Sequence, residues 1–170
     1  MKGYLVYLIM ALLLFTKLLS AASPERPKNV PMAASWKAKH RIWTFGSIAK
    51  GSYRIWYENG SIQHREVIII GKRIKRIEKY YINGSILRKG YDIEIISNGE
   101  KAWIAFGKWV DYYKNGNIKM IQCYTPYEDS TDGLVDALCG DEIHYDEKGK
   151  EIKRISHKLK CQYGCDFYKE

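Results

Sequence analysis

The sequence predicts an all-β protein in which successive β-hairpins form one elongated antiparallel sheet. Three observations support this prediction: turn signals ending in glycine recur along the chain, large apolar residues alternate with polar ones around them, and a glycine often stands nine residues before the turn. A single hairpin is only marginally stable in water, whereas hairpins that stack side by side can share one continuous aromatic face.

The clearest hairpin signal lies at residues 107–118, which read Gly-Lys-Trp-Val-Asp-Tyr-Tyr-Lys-Asn-Gly-Asn-Ile. Aromatic and β-branched residues flank the Asn-Gly pair, as expected for two half-buried strands. Asn-Gly favours a two-residue type I′ turn, because both central positions of that turn need positive φ. We therefore predict a strand, a tight turn and a second strand in this segment.

The same pattern occurs five times along the chain. The turn glycines are Gly60, Gly84, Gly99, Gly116 and Gly149, and a large apolar residue precedes each by four positions: Trp56, Tyr80, Ile95, Tyr112 and Tyr145. The last copy, residues 146–149, predicts a longer turn with a bulge at its glycine. An ordinary β-meander also contains Asn-Gly turns, but the recurring upstream glycine favours true repeats.

Residues 107–118 resemble the bacterial variant of the MORN repeat, and residues 51–62 match nearly as well, with Tyr53 in place of the tryptophan. The resemblance covers residues 50–155. It implies an elongated, twisted sheet of successive hairpins and a protein without catalytic residues. Many bacterial members of this family are labelled YwqK-like antitoxins, and others are described as membrane-associated or scaffolding repeat proteins.

The N-terminal residues 1–22 read as a secretory signal peptide. Lys2 precedes an uncharged apolar run, and Ser20-Ala21-Ala22 offers small residues for cleavage. An uncleaved anchor is the alternative, but the run is shorter than the ~20 residues that a spanning helix needs. Residues 23–35 hold three of the four prolines and are predicted to be a flexible lead-in. Residues 36–170 are predicted to form one repeat domain, with 36–50 as a capping strand at its first edge.

The four cysteines predict two disulfides, because an even count in an exported chain is typical of a disulfide framework. Three connectivities are possible for Cys123, Cys139, Cys161 and Cys165, and we favour Cys123–Cys139 with Cys161–Cys165. Free thiols are one alternative. A zinc site using Cys161, Cys165, His144 and His157 is another, but a single short cysteine pair without regular histidine spacing argues against it. We expect no cofactor and no metal.

A run of cations follows the apolar stretch at residues 67–70. Its alternation predicts isoleucines on one face of a strand and cations on the other. These cations could bind an anionic partner, such as lipid headgroups or an acidic protein, although a solvated strand face is the simpler interpretation. The run comprises Lys72, Arg73, Lys75, Arg76 and Lys79.

Residues 120–147 contain eight acidic residues and no lysine or arginine. We interpret this segment as an insertion, irregular or helical near residues 125–140, with one helical turn over residues 134–138. Long loops in repeat proteins often lie on the binding face, so a recognition loop is predicted at Glu128, Asp129, Asp132 and Asp136. The acids do not follow the EF-hand spacing, which argues against calcium.

No catalytic signature surrounds His40, His64, His144 or His157, so the chain is not predicted to be an enzyme. The expected function is that of an exported protein-binding or scaffold module at the bacterial envelope, periplasmic or extracellular after cleavage. Two alternatives remain open: an antitoxin-like neutraliser of a toxin, and a binder of anionic membrane surfaces. Nucleic acid is not an expected partner.

Overall fold

The fold is one long open antiparallel β-sheet of 11 strands, which confirms the all-β prediction. The structure, a computed structural model, describes residues 24–48, 51–69, 73–97, 99–130, 133–162 and 164–165. The predicted signal peptide lies outside these residues. The strands are β1 (Ser35–Lys37), β2 (Ile42–Ser47), β3 (Ser52–Tyr57), β4 (Ile62–Ile68), β5 (Ile74–Tyr80), β6 (Ile86–Ser97), β7 (Glu100–Tyr112), β8 (Ile118–Asp129), β9 (Gly133–Leu138), β10 (Gly140–Tyr145) and β11 (Glu151–His157). A short 3-10 helix, Ala38–His40, joins β1 to β2.

Each strand pairs with the next in sequence from β1 to β8, and β10 and β11 complete the sheet beyond β8. Strand β9 lies off this path and pairs only with the second half of β8, from Tyr124–Leu138 to Asp129–Gly133. The helical turn predicted at residues 134–138 is therefore wrong. Those residues form a β-ladder because β8 stops pairing with β7 at Tyr124, opposite Gly107, and the rest of β8 offers free backbone groups.

The type I′ geometry predicted for the Asn-Gly turns is also wrong at three positions. Gly60, Gly84 and Gly116 have φ near +85°, but the asparagines before them do not have positive φ. Each glycine amide instead bonds to the carbonyl three residues back, as in a type I turn closed by a glycine bulge. The asparagine side chain accepts a bond from the backbone two residues on, which stabilises this longer turn.

The turn at Gly149 has the same backbone bonds, as the sequence predicted for that copy, and Asp146 takes the place of the asparagine as acceptor. All four turns lie at one end of the strands. The fifth copy does not belong to this row: Gly99 connects β6 to β7 at the opposite end of the sheet, where Ser97 pairs directly with Glu100. The repeating unit is therefore larger than the turn signal alone suggests.

The segment predicted to be a flexible lead-in is packed against the sheet. Val30 and Ala34 are buried in one cluster with Trp43 and Trp56, and the Asn29 side chain bonds to the Gly60 carbonyl. Strand β1 then pairs with β2, so the first edge is capped as expected. We call the side of the sheet covered by this segment the cap face. The proline-rich segment packs here because it buries the apolar side chains of Trp43 and Trp56.

Candidate functional site

The opposite side of the sheet, which we call the histidine face, carries a row of ionisable side chains that pair across strands. Alternation places His64 and Glu66 together on β4, and the register sets Lys79 beside His64 and Arg88 beside Lys79. The same register aligns Asp92 on β6 with Lys75 on β5. Side chains far apart in sequence are thus brought together by β-pairing alone.

Lys75 is the centre of the first charged group on the histidine face. Its side chain is only 10% exposed, and its Nζ lies 3.4 Å from Glu66 Oε2 and 3.3 Å from Asp92 Oδ2. The His64 Nε2 lies 2.8 Å from Glu66 Oε1. This hydrogen bond lowers the pKa of Glu66; burial acts in the opposite direction, and the charge of Lys75 adds to the lowering. Burial raises the pKa of Asp92, and Lys75 only partly opposes it.

Arg88 is the centre of a second group. Its Nε lies 3.3 Å from Asp111 Oδ1, and its guanidinium carbon lies 4.7 Å from the centre of the Trp109 ring. The indole of Trp109 donates to the Tyr91 carbonyl at 3.0 Å and lies over Gly90, where a Cβ would overlap the ring. Burial raises the pKa of Asp111 although Arg88 acts in the opposite direction.

The third group lies near the C-terminal edge of the sheet, around Glu142. Its side chain receives a bond from Gln122 at 3.2 Å, and His144 and His157 approach it at 2.6 and 3.4 Å. Burial alone would raise the pKa of Glu142, but these hydrogen bonds outweigh burial and the pKa is lowered. The sequence places His144 two residues from Glu142, but it carries no signal that Gln122 and His157 approach the same carboxylate.

A two-stranded arm, defined as residues 124–138, leaves the sheet next to these groups. Strand β8 pairs with β7 only as far as Tyr124, opposite Gly107, and from there pairs with β9 instead. The arm lies against the main sheet, since the Leu134 amide bonds to Ser97 Oγ at 3.2 Å. Asp136 from the arm and Asp92 and Trp109 from the sheet line a cleft of about 270 Å³.

Two disulfides hold the base of the arm. Cys123 and Cys139 lie at its two ends, with the Cys139 amide bonded to the Cys123 carbonyl, and they are linked to Cys165 and Cys161 respectively. The predicted pairing of Cys123 with Cys139 and of Cys161 with Cys165 is therefore wrong. The C-terminal segment folds back over the arm and supplies one cysteine to each side of it, an arrangement that sequence spacing cannot reveal.

Those predicted recognition residues that the structure describes lie in the arm, while the described cations of the predicted run are spread over both faces. Asp136 lines the cleft, Glu128 is exposed near the tip, and Asp129 precedes the turn; Asp132 lies outside the described residues. Isoleucines and cations do not segregate as predicted, because Ile74 and Ile77 are three residues apart and point to opposite faces.

The cations of the predicted stripe differ in their surroundings. Lys75 and Lys79 lie on the histidine face, while Arg76 lies on the cap face, 3.4 Å from Glu78. Arg73 is 3.6 Å from Glu94, and Lys72 lies outside the described residues. Of these side chains Lys75 is buried and Lys79 exposed. A basic strand in the sequence is thus not one basic surface in the fold.

The chemistry available to these groups is recognition by paired charges, hydrogen bonds and aromatic rings. His64 and His144 face the carboxylates of Glu66 and Glu142, and all four cysteines are in disulfides, which leaves no free thiol and no cysteine for a zinc site. The helical structure in the described part of the chain includes no segment long and apolar enough to cross a membrane.

Fold and site together define a class: a single-layer sheet of successive hairpins with a disulfide-held arm. No protein-family model matches the chain, and searches of curated proteins and of solved structures also found no match. Two disulfides are characteristic of proteins in an oxidising compartment, in accord with the expected export. The sequence signals for the charged groups were local ones, the alternation at residues 64 and 66 and the cation run that contains Lys75 and Lys79; no signal indicated that these strands bring the groups together.

Proposed function

We propose that this chain is an exported, non-enzymatic binding module of the bacterial envelope that recognises a protein partner through its arm. One observation carries the proposal: the arm has a disulfide at each side of its base and presents an aromatic and acidic tip. The resemblance to bacterial MORN repeats supports a binding or scaffolding role, and the signal-peptide pattern supports an envelope location.

The base of the arm is rigid, which favours recognition. A segment that is ordered before binding loses less conformational entropy when a partner is bound. Cys123 and Cys139 are almost fully buried, and Thr125 beside them is 3% exposed. The arm is therefore held in place before any partner arrives.

The exposed residues Tyr127 and Glu128, which we call the tip of the arm, are of the types that protein interfaces favour. Tyr127 is 45% exposed, and tyrosine is enriched among residues that dominate binding energy. Glu128 is exposed beside it, within a segment free of lysine and arginine. Such an acidic tip suits a basic partner surface, and the contact should weaken as salt screens the charges.

The test is a pull-down from the envelope fraction of the source cells with the mature, disulfide-bonded protein, at low and at high salt. The variant Tyr127→Ala/Glu128→Gln removes one ring and one charge from the tip. The matched control, Phe45→Ala/Glu147→Gln, removes one exposed ring and one exposed charge elsewhere.

A single basic protein that is captured at low salt, released at high salt and lost only with the tip variant would support the proposal. Equal capture by the tip variant and the control, or recovery of lipid alone, would refute it. If the captured protein is toxic when expressed alone and harmless with this chain, the partner is a toxin and the module a neutraliser.

A further inference from the structure

Three hollows lie in a row, one beside the turns at Gly60 and Gly84 and two on the histidine face, and because neighbouring hollows share lining residues we treat them as one long groove. They measure about 500, 530 and 270 Å³, and the last of them is the cleft beside the arm. The first and second share Tyr57 and Gln63, and the second and third share His64, Glu66 and Lys79. We propose that this groove binds a neutral polysaccharide strand.

The length of the groove points to a polymer. It extends from Ile42 on β2 to Tyr124 on β8, and neighbouring strands are about 4.8 Å apart, which gives roughly 29 Å across the sheet. Small-molecule sites are usually single pockets of about 300–1,000 Å³. Three connected hollows in a row suit several successive units of an extended ligand better than one compact molecule.

The charges in the groove point to a ligand without net charge. The chain has a formal net charge of +9, yet the lining of the groove has no excess of cations: it holds three, Arg41, Lys79 and Arg88, and four carboxylates, Glu58, Glu66, Asp92 and Asp136. Lys75 lies between Glu66 and Asp92, and Arg88 lies beside Asp111. A polyanion is bound by cations that neutralise its charged groups and displace the counterions condensed on it, whereas Lys75 and Arg88 are already paired with carboxylates.

The position of the groove on a sheet face favours sugar over peptide. Backbone N–H and C=O groups in a sheet point sideways to neighbouring strands, so a ligand on the face meets side chains only. A peptide lying there would leave many of its own backbone groups without partners. Sugar hydroxyls both donate and accept, and they can bond to carboxylates, imidazoles, amides and phenols such as those of Glu66, His64, Gln63 and Tyr124.

Aromatic rings complete the match. Tyr53 and Tyr57 line the middle of the groove, and Tyr124 lines the end beside the arm. The tyrosines are half-buried, with part of each ring accessible from the groove. The C–H face of a pyranose ring is apolar and packs on an aromatic ring, while the hydroxyls at its rim remain available for hydrogen bonds.

The experiment measures co-sedimentation of the mature, disulfide-bonded protein with three insoluble uncharged glycans, chitin, cellulose and curdlan, at low and at high salt. We expect retention on at least one of these glycans that high salt does not reduce, and competition by soluble oligosaccharides of the same glycan. The variants Tyr53→Ala and Gln63→Ala should each weaken retention about tenfold. Phe45→Ala, an aromatic change on the cap face of the neighbouring strand, should leave it unchanged.

Gln63 occupies the extra position of a bulge and lines two hollows, so its variant tests the groove even if Tyr53→Ala fails to fold. The absence of retention on all three glycans would overturn the inference, as would an equal loss with Phe45→Ala. Retention that high salt abolishes would indicate an ionic contact with a charged partner and would also overturn it. The tip variant Tyr127→Ala/Glu128→Gln should retain glycan, which separates this inference from the proposed protein partner.

Discussion

The hydroxyl of Tyr113 donates a 2.8 Å hydrogen bond to the main-chain carbonyl of Tyr145, in the turn of the next hairpin. The same bond joins Tyr81 to the Tyr112 carbonyl at 2.8 Å and Tyr57 to the Tyr80 carbonyl at 3.1 Å. In every case the donor stands three residues before a turn glycine, and the acceptor stands four residues before the next turn glycine at the same end of the sheet. We call these three bonds the tyrosine ladder; each one links a hairpin to the next, and they account for the repeated tyrosines in the sequence.

The ladder explains where the repeats stop. Asp146 stands where a fourth donor would be, and its carboxylate bonds to the amides of Lys148 and Lys150 in its own turn. A hairpin beyond β11 would receive no tyrosine hydroxyl from this position. The last turn is therefore self-contained, which suits the terminal unit of a repeat array.

Removal of one ladder hydroxyl should destabilise the fold. We expect Tyr113→Phe to lower the free energy of unfolding by about 1 kcal/mol, because it leaves the Tyr145 carbonyl without this partner. Tyr81→Phe should have a similar effect, and the two should add since the bonds belong to different turns. Chemical denaturation measures both. The control is Tyr127→Phe on the arm. An equal loss of unfolding free energy in this control would show that the ladder hydrogen bonds do not add to stability.

Lys75 and Lys79 lie on the same strand and face but should respond differently to neutralisation. Lys75→Met leaves the carboxylates of Glu66 and Asp92 without their shared cation, and we expect a loss of about 3 kcal/mol in unfolding free energy. Lys79 is exposed, so Lys79→Met should change stability by less than about 0.5 kcal/mol. Thermal or denaturant unfolding compares the two; similar values would contradict the central role of Lys75.

Glu142 should contribute to acid sensitivity. Its pKa in the folded protein lies below the ordinary value of 4.5, so the folded state binds fewer protons than the unfolded chain in that range. The associated stability is fully present above pH 4.5 and is lost as the pH falls through the lowered pKa. Glu142→Gln should be less stable at neutral pH and should lose less on acidification.

Unfolding curves at a series of pH values test this expectation for Glu142. Asp92 and Asp111 act in the opposite sense, because a raised carboxyl pKa adds stability as the pH falls. The comparison of Glu142→Gln with the parent protein cancels their contribution. An unchanged slope between neutral and acidic pH in the variant would show that Glu142 is not the group responsible.

The disulfide connectivity can be read directly by mass spectrometry of peptides from unreduced protein. We expect Cys123 joined to Cys165 and Cys139 joined to Cys161, with sequence separations of 42 and 22 residues. Paired serine substitution of either bridge should lower the unfolding free energy by about 2–4 kcal/mol. Recovery of a Cys161–Cys165 peptide would contradict the arrangement at the base of the arm.

The periodic part of the molecule was predictable because its signals are local. Turn glycines and alternating aromatic residues depend on neighbours within a few positions, and they indicated the all-β class and most of the hairpins. The turn type was not predictable, because Asn-Gly is compatible with both a type I′ turn and a glycine bulge, and the choice follows from the pairing of whole strands.

The sequence by itself therefore determined an all-β chain of hairpins, the positions of most of its turns and the presence of cysteines that could pair. Only the tertiary structure decided which turns share one edge, that residues 133–138 form a strand, and which cysteines meet. It also decided that Lys75 is buried between Glu66 and Asp92 while Lys79 remains exposed. The physical reason is that these properties depend on register between strands distant in sequence, and register follows from the packing of the whole sheet.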